Sequence, residues 1–379
     1  MADATASKAV EATHVGSSPT FPTNDERRRI PASLLTLGAH RDFCPCVANE
    51  APSMTAETNI TPLPGDESIT LRALAVAALS PTPLTIENAN PGAHAHALAN
   101  GLRAIGAGAG FHSAALPIDC GDSSEVAELL MGLIAGLAIE ATLVGEYGAS
   151  LEPTAAQLRA FGALVETTNG TLPVAIRGTA TPQTRSFLLV APSSATYSAL
   201  LLAARASRTT ITVGGDKAFD DVTERLLAYL DATGSSVVTI PGDFSEAARR
   251  IVDTALTPGA TTRVESANVN SNRTGFLDVL AAMGAPIARE NERDLAGQPV
   301  ADLIANAAPL RGITIAGELL ARSRPELALV ARLAAAATGE TRILGRNLPD
   351  PAVPFERLPN GLAFPGLGAD TLRVTETTA

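Results

Sequence analysis

"PLPGDESITLRALAVAALS" (residues 62–80) reads as a tight Pro-Gly-Asp turn feeding an apolar helix rich in Ala and Leu. A Gly-Asp-x-Ser turn ahead of a helix is suited to holding an anion, because the first N–H groups of the helix point outward. Lys or Arg would be the natural residue at position 67, yet the chain carries Glu67. That carboxylate is the first sign of a departure in chemistry.

Working outward, the same unit recurs: an apolar helix, a Gly turn, one or two short β-rich runs, then another turn. The pattern predicts helices near 68–80, 93–105, 123–138, 154–162, 193–204, 219–232, 244–255, 273–283 and 324–337. Strand-like runs lie between them, among them "PLTIEN", "ATLVGE", "LPVAIRG", "TTITVGG", "TTRVESANV" and "TRILGR". A helix-plus-strand unit repeating every several tens of residues implies an internally repeated α/β architecture. No GxGxxG turn with a following acidic residue is present, so a dinucleotide fold is not indicated. The "GAGAG" run at 106–110 reads as a flexible turn.

At 379 residues the chain is long enough for two domains. Hydrophobic residues make up 46% and aromatics only 3%, so the cores must be built from Ala, Leu, Val and Ile. The net charge of -11 argues against a nucleic-acid partner, which would need basic surface. No long apolar run lacks a breaker, so no membrane span is expected. Lys8 and Lys217 are the two lysines among 28 basic residues, which excludes any mechanism needing several active-site lysines. Cys44-Pro-Cys46 is too closely spaced for a zinc knuckle, and His94-Ala-His96 puts its two side chains on different sides of a helix. The expectation is therefore no metal, a solvated surface for His94, and a reducing cytoplasm. Residues 1–53 read as a disordered or poorly packed extension.

Six blocks together resemble one family. They are "GDESITLRALAVAAL" (65–79), "DCGDSSEVAELLMGLIAGL" (119–137), "APSSATYSALLLAA" (191–204), "FDDVTERLLAYL" (219–230), "PGDFSEAARRIVDTAL" (241–256) and "NVNSNRTGFLDVLAAMGAPI" (268–287). In this order they are similar to the enolpyruvyl transferases, specifically the EPSP synthase family. The resemblance implies a two-lobed α/β fold, an inside-out barrel of repeated helix-plus-sheet units, with the active site in the cleft between lobes. It implies a first lobe of three repeats over 69–238 and a second over 54–68 plus 239–379, the latter with an incomplete third repeat. Self-association or the N-terminal extension is then expected to cover the shortened C-terminal lobe, and a homo-oligomer follows from the first. The family moves the enolpyruvyl group of phosphoenolpyruvate onto shikimate 3-phosphate with no metal or organic cofactor.

The residues depart from that pattern where the chemistry should be. In the "GDKS"-like turn the lysine position holds Glu67. In the "NSGTxMR"-like segment Glu128 stands where the arginine belongs, and Glu152 falls on a second arginine position, in "SLEPT". The "SSQ"-like triplet is Ser193-Ser194-Ala195. The Asp of the "DEIP"-like segment falls on Pro325, with Glu326 beside it, and the "RVKES"-like motif is absent. Retained are Ser68 and Arg72, which by resemblance hold the cyclic substrate with Arg72 on its carboxylate, and Ser193 and Ser194, which by resemblance meet its 3-phosphate.

A pair of unit charges about 5 Å apart at an effective dielectric of ~20 interacts with ~3 kcal/mol. Several cation-to-anion changes would overwhelm affinity for a trianion such as phosphoenolpyruvate. The expected protein is thus a repurposed small-molecule enzyme of specialised metabolism. Glu67, Glu128 and Glu326 would act as acid or base in an acidic cleft, and Ser68, Arg72, Ser193, Ser194 and Glu152 would hold a cationic or polyhydroxylated substrate. The alternatives are an inactive protein of this fold that binds a metabolite or partner, and an ordinary EPSP synthase. Glu67, Glu128 and Glu152 are expected to converge on one cavity faced by Arg72 and Ser193.

Overall fold

A computed structural model describes residues 62–148, 150–179, 181–189, 193–215, 221–349 and 367–375. Residues 1–53, with Lys8, Cys44 and Cys46, and also Lys217, lie outside the described residues. The chain leaves the 62–66 turn into α1 (Glu67–Leu79), then β1 (Thr85–Glu87), α2 (Ala93–Ala104) and β2 (Ile118–Asp119). The buried helix α3 (Ser124–Gly136) follows, then β3 (Glu140–Val144), α4 (Glu152–Phe161), β4 (Leu164–Thr168), β5 (Thr171–Arg177) and β6 (Ser186–Leu189). Next come α5 (Ser194–Ala206), β7 (Thr212–Gly215), α6 (Val222–Thr233) and β8 (Val237–Thr239).

The remainder begins with α7 (Phe244–Ala255), β9 (Thr261–Asn268) and α8 (Gly275–Met283). It continues with β10 (Ala288–Leu295), β11 (Gln298–Asn306), β12 (Thr314–Ala316), α9 (Gly317–Ser323), a 3-10 turn (Arg324–Glu326), α10 (Leu327–Ala335), β13 (Glu340–Pro349) and β14 (Leu367–Thr375).

Two separate apolar cores organise these elements. One is built on α1, α3 and α5 and runs from Ile69 to Ile240; the other joins Leu63 to residues Phe244 through Ile343. Around the first lie the sheets β2-β3-β5-β4, β6-β7 and β1-β8; around the second, β10-β11-β9 and β12-β13-β14. This is an α/β fold in which short sheets wrap apolar helices.

The helices start where side chains can meet their first N–H groups. Asp66 accepts from the Ile69 N–H at 3.0 Å, Ser123 from Val126 at 3.3 Å, Ser193 from Thr196 at 3.0 Å and Asp243 from Glu246 at 2.8 Å. The lack of large aromatics is matched by close helix contact. A Cβ on Gly132 would sit 2.4 Å from the Ala199 carbonyl oxygen, and one on Gly136 would sit 2.1 Å from that of Ala203. Those glycines let α3 and α5 meet backbone to backbone, where a leucine pair would hold them apart.

The two halves are stitched at a double crossover. Asp66 N–H donates to the Pro241 carbonyl and Asp243 N–H to the Pro64 carbonyl, each at 2.9 Å. A second tie is the β10–β11 hairpin, whose Ala296 packs into the first core, and Asn270 Nδ2 donates to Asp221 at 2.9 Å. Several elements differ from the sequence expectation. The helix α9, the hairpin β10–β11 and the strands β2, β4 and β14 were not expected, and the terminal helix predicted over 324–337 begins as a 3-10 turn. All but the last residue of β10 (ARENERDL) are exposed, so its charged side chains conceal the alternation that usually marks a strand.

Candidate functional site

The first helix presents Ser68 and Arg72 one turn apart, and both turn inward. Arg72 is 1% exposed, and its guanidinium is surrounded by acceptors. Nε donates to Ser198 Oγ at 3.2 Å, Nη1 to the Ser68 carbonyl at 3.0 Å and to Ser68 Oγ at 2.5 Å, and Nη2 to Ser194 Oγ at 2.8 Å. The remaining partner is Glu125, in direct ion-pair contact with Nη1 and accepting from Ser68 Oγ at 2.7 Å. Burial pushes the Glu125 carboxyl up, but the Arg72 charge, the Ser68 and Arg72 hydrogen bonds and the more distant Arg273 outweigh it and hold it below the ordinary range. Glu125 was not singled out in the sequence. Its signal was available: it is the first-turn acid of α3, one turn ahead of Glu128.

Glu128 lies next to this group and is 8% exposed. It accepts hydrogen bonds from Thr154 and, at 3.4 Å, from Thr196, whose hydroxyl is 2.9 Å from Ser193 Oγ. Burial raises its carboxyl above the usual range, and the Glu125 charge adds to that. Ser193 is exposed and caps α5, while Ser194 meets Arg72. The structure therefore brings Ser68, Arg72, Ser193, Ser194 and Glu128 into one neighbourhood.

The three glutamates expected to share a cavity do not share partners. Glu67 is paired with His94 Nδ1 at 2.8 Å, and Asp122 takes His94 Nε2 at 2.9 Å. His94 is therefore a bridge between two carboxylates at the starts of α1 and α3, where a solvated surface was expected. A carboxylate at the first residue of α1 also suits the positive end of that helix. Glu152 opens α4 and is 46% exposed; it pairs with Arg159 and accepts from Thr167 at 3.1 Å. Each of these two acids is satisfied by neighbours on its own side, so nothing draws them to a common centre.

Glu326 lies in the second half, at the end of the 3-10 turn, and is 2% exposed. Ser245 Oγ donates to its Oε1 at 3.1 Å, and its Oε2 has no hydrogen-bond partner among the described residues. Burial pushes this carboxyl up to about 7, against smaller opposing effects of Ser245 and Arg273. A group poised near neutrality can take or give a proton in either direction. Among the described residues no cluster of His, Cys, Asp and Glu is arranged to hold a metal ion, and no helix is long and apolar enough to cross a membrane.

Comparison with known proteins identifies the family. The sequence model of the EPSP synthase (3-phosphoshikimate 1-carboxyvinyltransferase) family matches residues 54–234 and 230–348. A 3-phosphoshikimate 1-carboxyvinyltransferase from Alkalilimnicola ehrlichii is 32% identical over 319 residues, covering 75% of this chain and 72% of the relative. Another from Gloeobacter violaceus is 34% identical, covering 74% and 73%. Among solved structures, EPSP synthase from Acinetobacter baumannii superposes with a TM-score of 0.66 at 25% identity, covering 78% of this chain and 75% of that one. The enolpyruvyl transferase NikO from Streptomyces tendae shares the fold, with a TM-score of 0.55 at 15% identity and coverage of 76% and 75%. With a family match across both cores and relatives above 30% identity over most of their length, the chain belongs to the EPSP synthase family.

Proposed function

We propose that this member of the EPSP synthase family does not join phosphoenolpyruvate to shikimate 3-phosphate, and is instead a small-molecule enzyme repurposed for a hydroxylated or cationic substrate. The observation that carries the reading is the Arg72–Glu125 pair. By resemblance Arg72 is the residue that grips the carboxylate of the cyclic substrate. In this chain an internal carboxylate already lies against it, and Ser68 and Ser194 complete its shell. A substrate carboxylate would have to displace Glu125 and leave that group beside its own charge.

Charge around the locus supports the same reading. Glu67, Glu128 and Glu152 stand where the resemblance puts the family's cations. A full cation-to-anion reversal about 5 Å from an anion costs it roughly 7 kcal/mol at an effective dielectric of ~20, and less at Glu67 and Glu152, whose charge His94 and Arg159 offset. Ser193, Ser194, Thr154 and Thr196 remain as neutral donors and acceptors suited to hydroxyl groups. Glu128 and Glu326, both buried, are the groups whose protonation suits acid–base work. No cofactor enters this reading, and its setting is the cytoplasm with a small molecule as partner.

A second reading, a ligand-binding protein without turnover, is favoured by one observation. Glu67 and Glu152 are each satisfied by local ion pairs, leaving fewer groups for chemistry. The test is direct. Purified protein mixed with phosphoenolpyruvate and shikimate 3-phosphate should release no phosphate and form no enolpyruvyl product. Turnover at an ordinary enzymatic rate, of order 1–10³ per second, would overturn the proposal and restore the activity named for the relatives.

A further inference from the structure

Residues 64–72 (PGDESITLR) and 241–249 (PGDFSEAAR) share the frame Pro-Gly-Asp-x-Ser-x-x-x-Arg. The structure folds them as mates. Their backbones exchange the two reciprocal hydrogen bonds of the crossover, and Gly65 bridges Gly242 in antiparallel fashion. Asp66 and Asp243 each cap the helix that follows. The Ser two residues on then donates to a glutamate from elsewhere in the chain: Ser68 to Glu125 at 2.7 Å, Ser245 to Glu326 at 3.1 Å.

The two copies differ in where the cation goes. Arg72 turns inward and meets Glu125. Its counterpart Arg249 is 58% exposed and pairs outward with Glu246 at 2.8 Å. Glu326 is thus left with a buried carboxyl oxygen that nothing on the described chain meets. The charged groups that face it are Asp243 at the start of α7 and Arg273 ahead of α8, and Arg273 is itself bound to Asp66 at 2.7 Å. Two acids and one already-engaged arginine leave this locus short of positive charge. A buried polar atom without a partner calls for an explanation, such as water, an ion, a ligand or a role in chemistry. Glu326 is set apart from the other such atoms of this chain by being a carboxyl and by its place in the duplicated turn.

We propose that Glu326, in the second copy of the duplicated turn, is a binding site for the ammonium or guanidinium group of a small ligand, which takes the place against Glu326 that Arg72 takes against Glu125. The inference rests on the reading of this protein as a binder of small molecules, and it does not require that the family reaction be lost. A carboxyl held up to about 7 by burial carries a proton for much of the time before the cation arrives, so binding displaces that proton. Affinity should therefore climb with pH through neutrality and level off above it.

The test uses the full chain and two probes, methylguanidinium and methylammonium, titrated calorimetrically at constant ionic strength in buffers of differing ionisation enthalpy. Saturable binding at pH 8, release of protons at pH 7 and an affinity about tenfold lower in Glu326→Gln are expected. Gln keeps the shape and an acceptor for Ser245 while removing the charge. Arg249→Gln, at the surface, should bind as the unmodified protein does. The proposal fails if neither probe binds saturably, if Glu326→Gln binds undiminished, or if the affinity of the unmodified protein does not change between pH 6 and pH 8; this last measurement stands even if the variant does not fold. A protein that forms the family product yet binds methylguanidinium through Glu326 would sink the proposed function and keep this site.

Discussion

Replacing Glu125 by Gln isolates the contact on which the functional reading turns. Arg72 is buried, and in the variant it keeps Ser68, Ser194 and Ser198 but loses its counter-charge. At a contact distance of about 3 Å and an effective dielectric of ~20, the attraction removed is roughly 5 kcal/mol. Gln still offers one accepting oxygen, and the Glu125 side chain is 27% exposed, so water meets part of the loss. The net destabilisation should be about 3 kcal/mol, the low end for breaking a buried pair. At about 2–4 °C per kcal/mol for a unit of this size, the melting midpoint should fall by roughly 6–12 °C.

The pH dependence follows from the depressed Glu125 carboxyl. A carboxyl whose folded pKa lies below its unfolded value stabilises fully above the ordinary value and loses that contribution as pH falls through the folded one. The difference between parent and variant should be constant from pH 6 to pH 8 and should close in acid. Circular dichroism melts from pH 8 down into acid are the assay. Equal midpoints at neutral pH would refute the claim that Glu125 is the group answering Arg72. So would a difference that does not narrow in acid.

The remaining expectations concern single sites. Burial pulls the His94 imidazole down, but Asp122 and Glu67 together raise it, so its stabilising contribution is present below 6.5 and lost as pH rises through the folded value. An NMR titration should place His94 above 6.5 and Glu67→Gln should lower it; a value at or below 6.5 in the unmodified protein would remove the bridge. Glu128 has a raised carboxyl, so stability is lost as pH climbs from its unfolded pKa to its folded one. Glu128→Gln should match the parent in acid and exceed it at pH 8 in urea midpoints, and an unchanged difference across pH would contradict this. Gly136→Ala places a methyl 2.1 Å from the Ala203 carbonyl oxygen, and the cost should be about 1–3 kcal/mol despite the better helix propensity of Ala. An unshifted melt would show that α3 and α5 part easily.

Most of the fold is written in local chemistry. The helices that sequence periodicity marks at 68–80, 93–105, 123–138 and 244–255 carry apolar positions and, in all but the second, side-chain caps that act within a few residues, and they occur within a residue or two of those bounds. The β10–β11 hairpin is different. One strand is charged along its length and the other is apolar on both faces with Pro299 near its start, so neither shows a period of two. At the site, Ser68 and Arg72 were legible through the family resemblance, and the structure places them one turn apart on one helix. Glu125 was visible only as a first-turn acid of α3; its pairing with Arg72 depends on α3 lying beside α1, which is a tertiary fact. The same holds for His94, whose two partners come from 27 residues upstream and 28 downstream.

The double crossover has a consequence for the order of biosynthesis. Leu63 belongs to the core formed with Phe244 and the residues after it, yet it is made before the whole first core. As the chain leaves the ribosome, residues 65–240 hold nearly everything they need and can fold as they appear. Leu63 must wait until its neighbours are synthesised. Once the first lobe has folded, the Asp66 N–H and the Pro241 carbonyl are hydrogen-bonded at 2.9 Å, so the intervening stretch behaves as a very short link. The entropy of closing a long loop has then already been met by a folded body. The second lobe can assemble as though Pro64 and Pro241 were near neighbours in sequence, which makes the first lobe the template on which the second is completed.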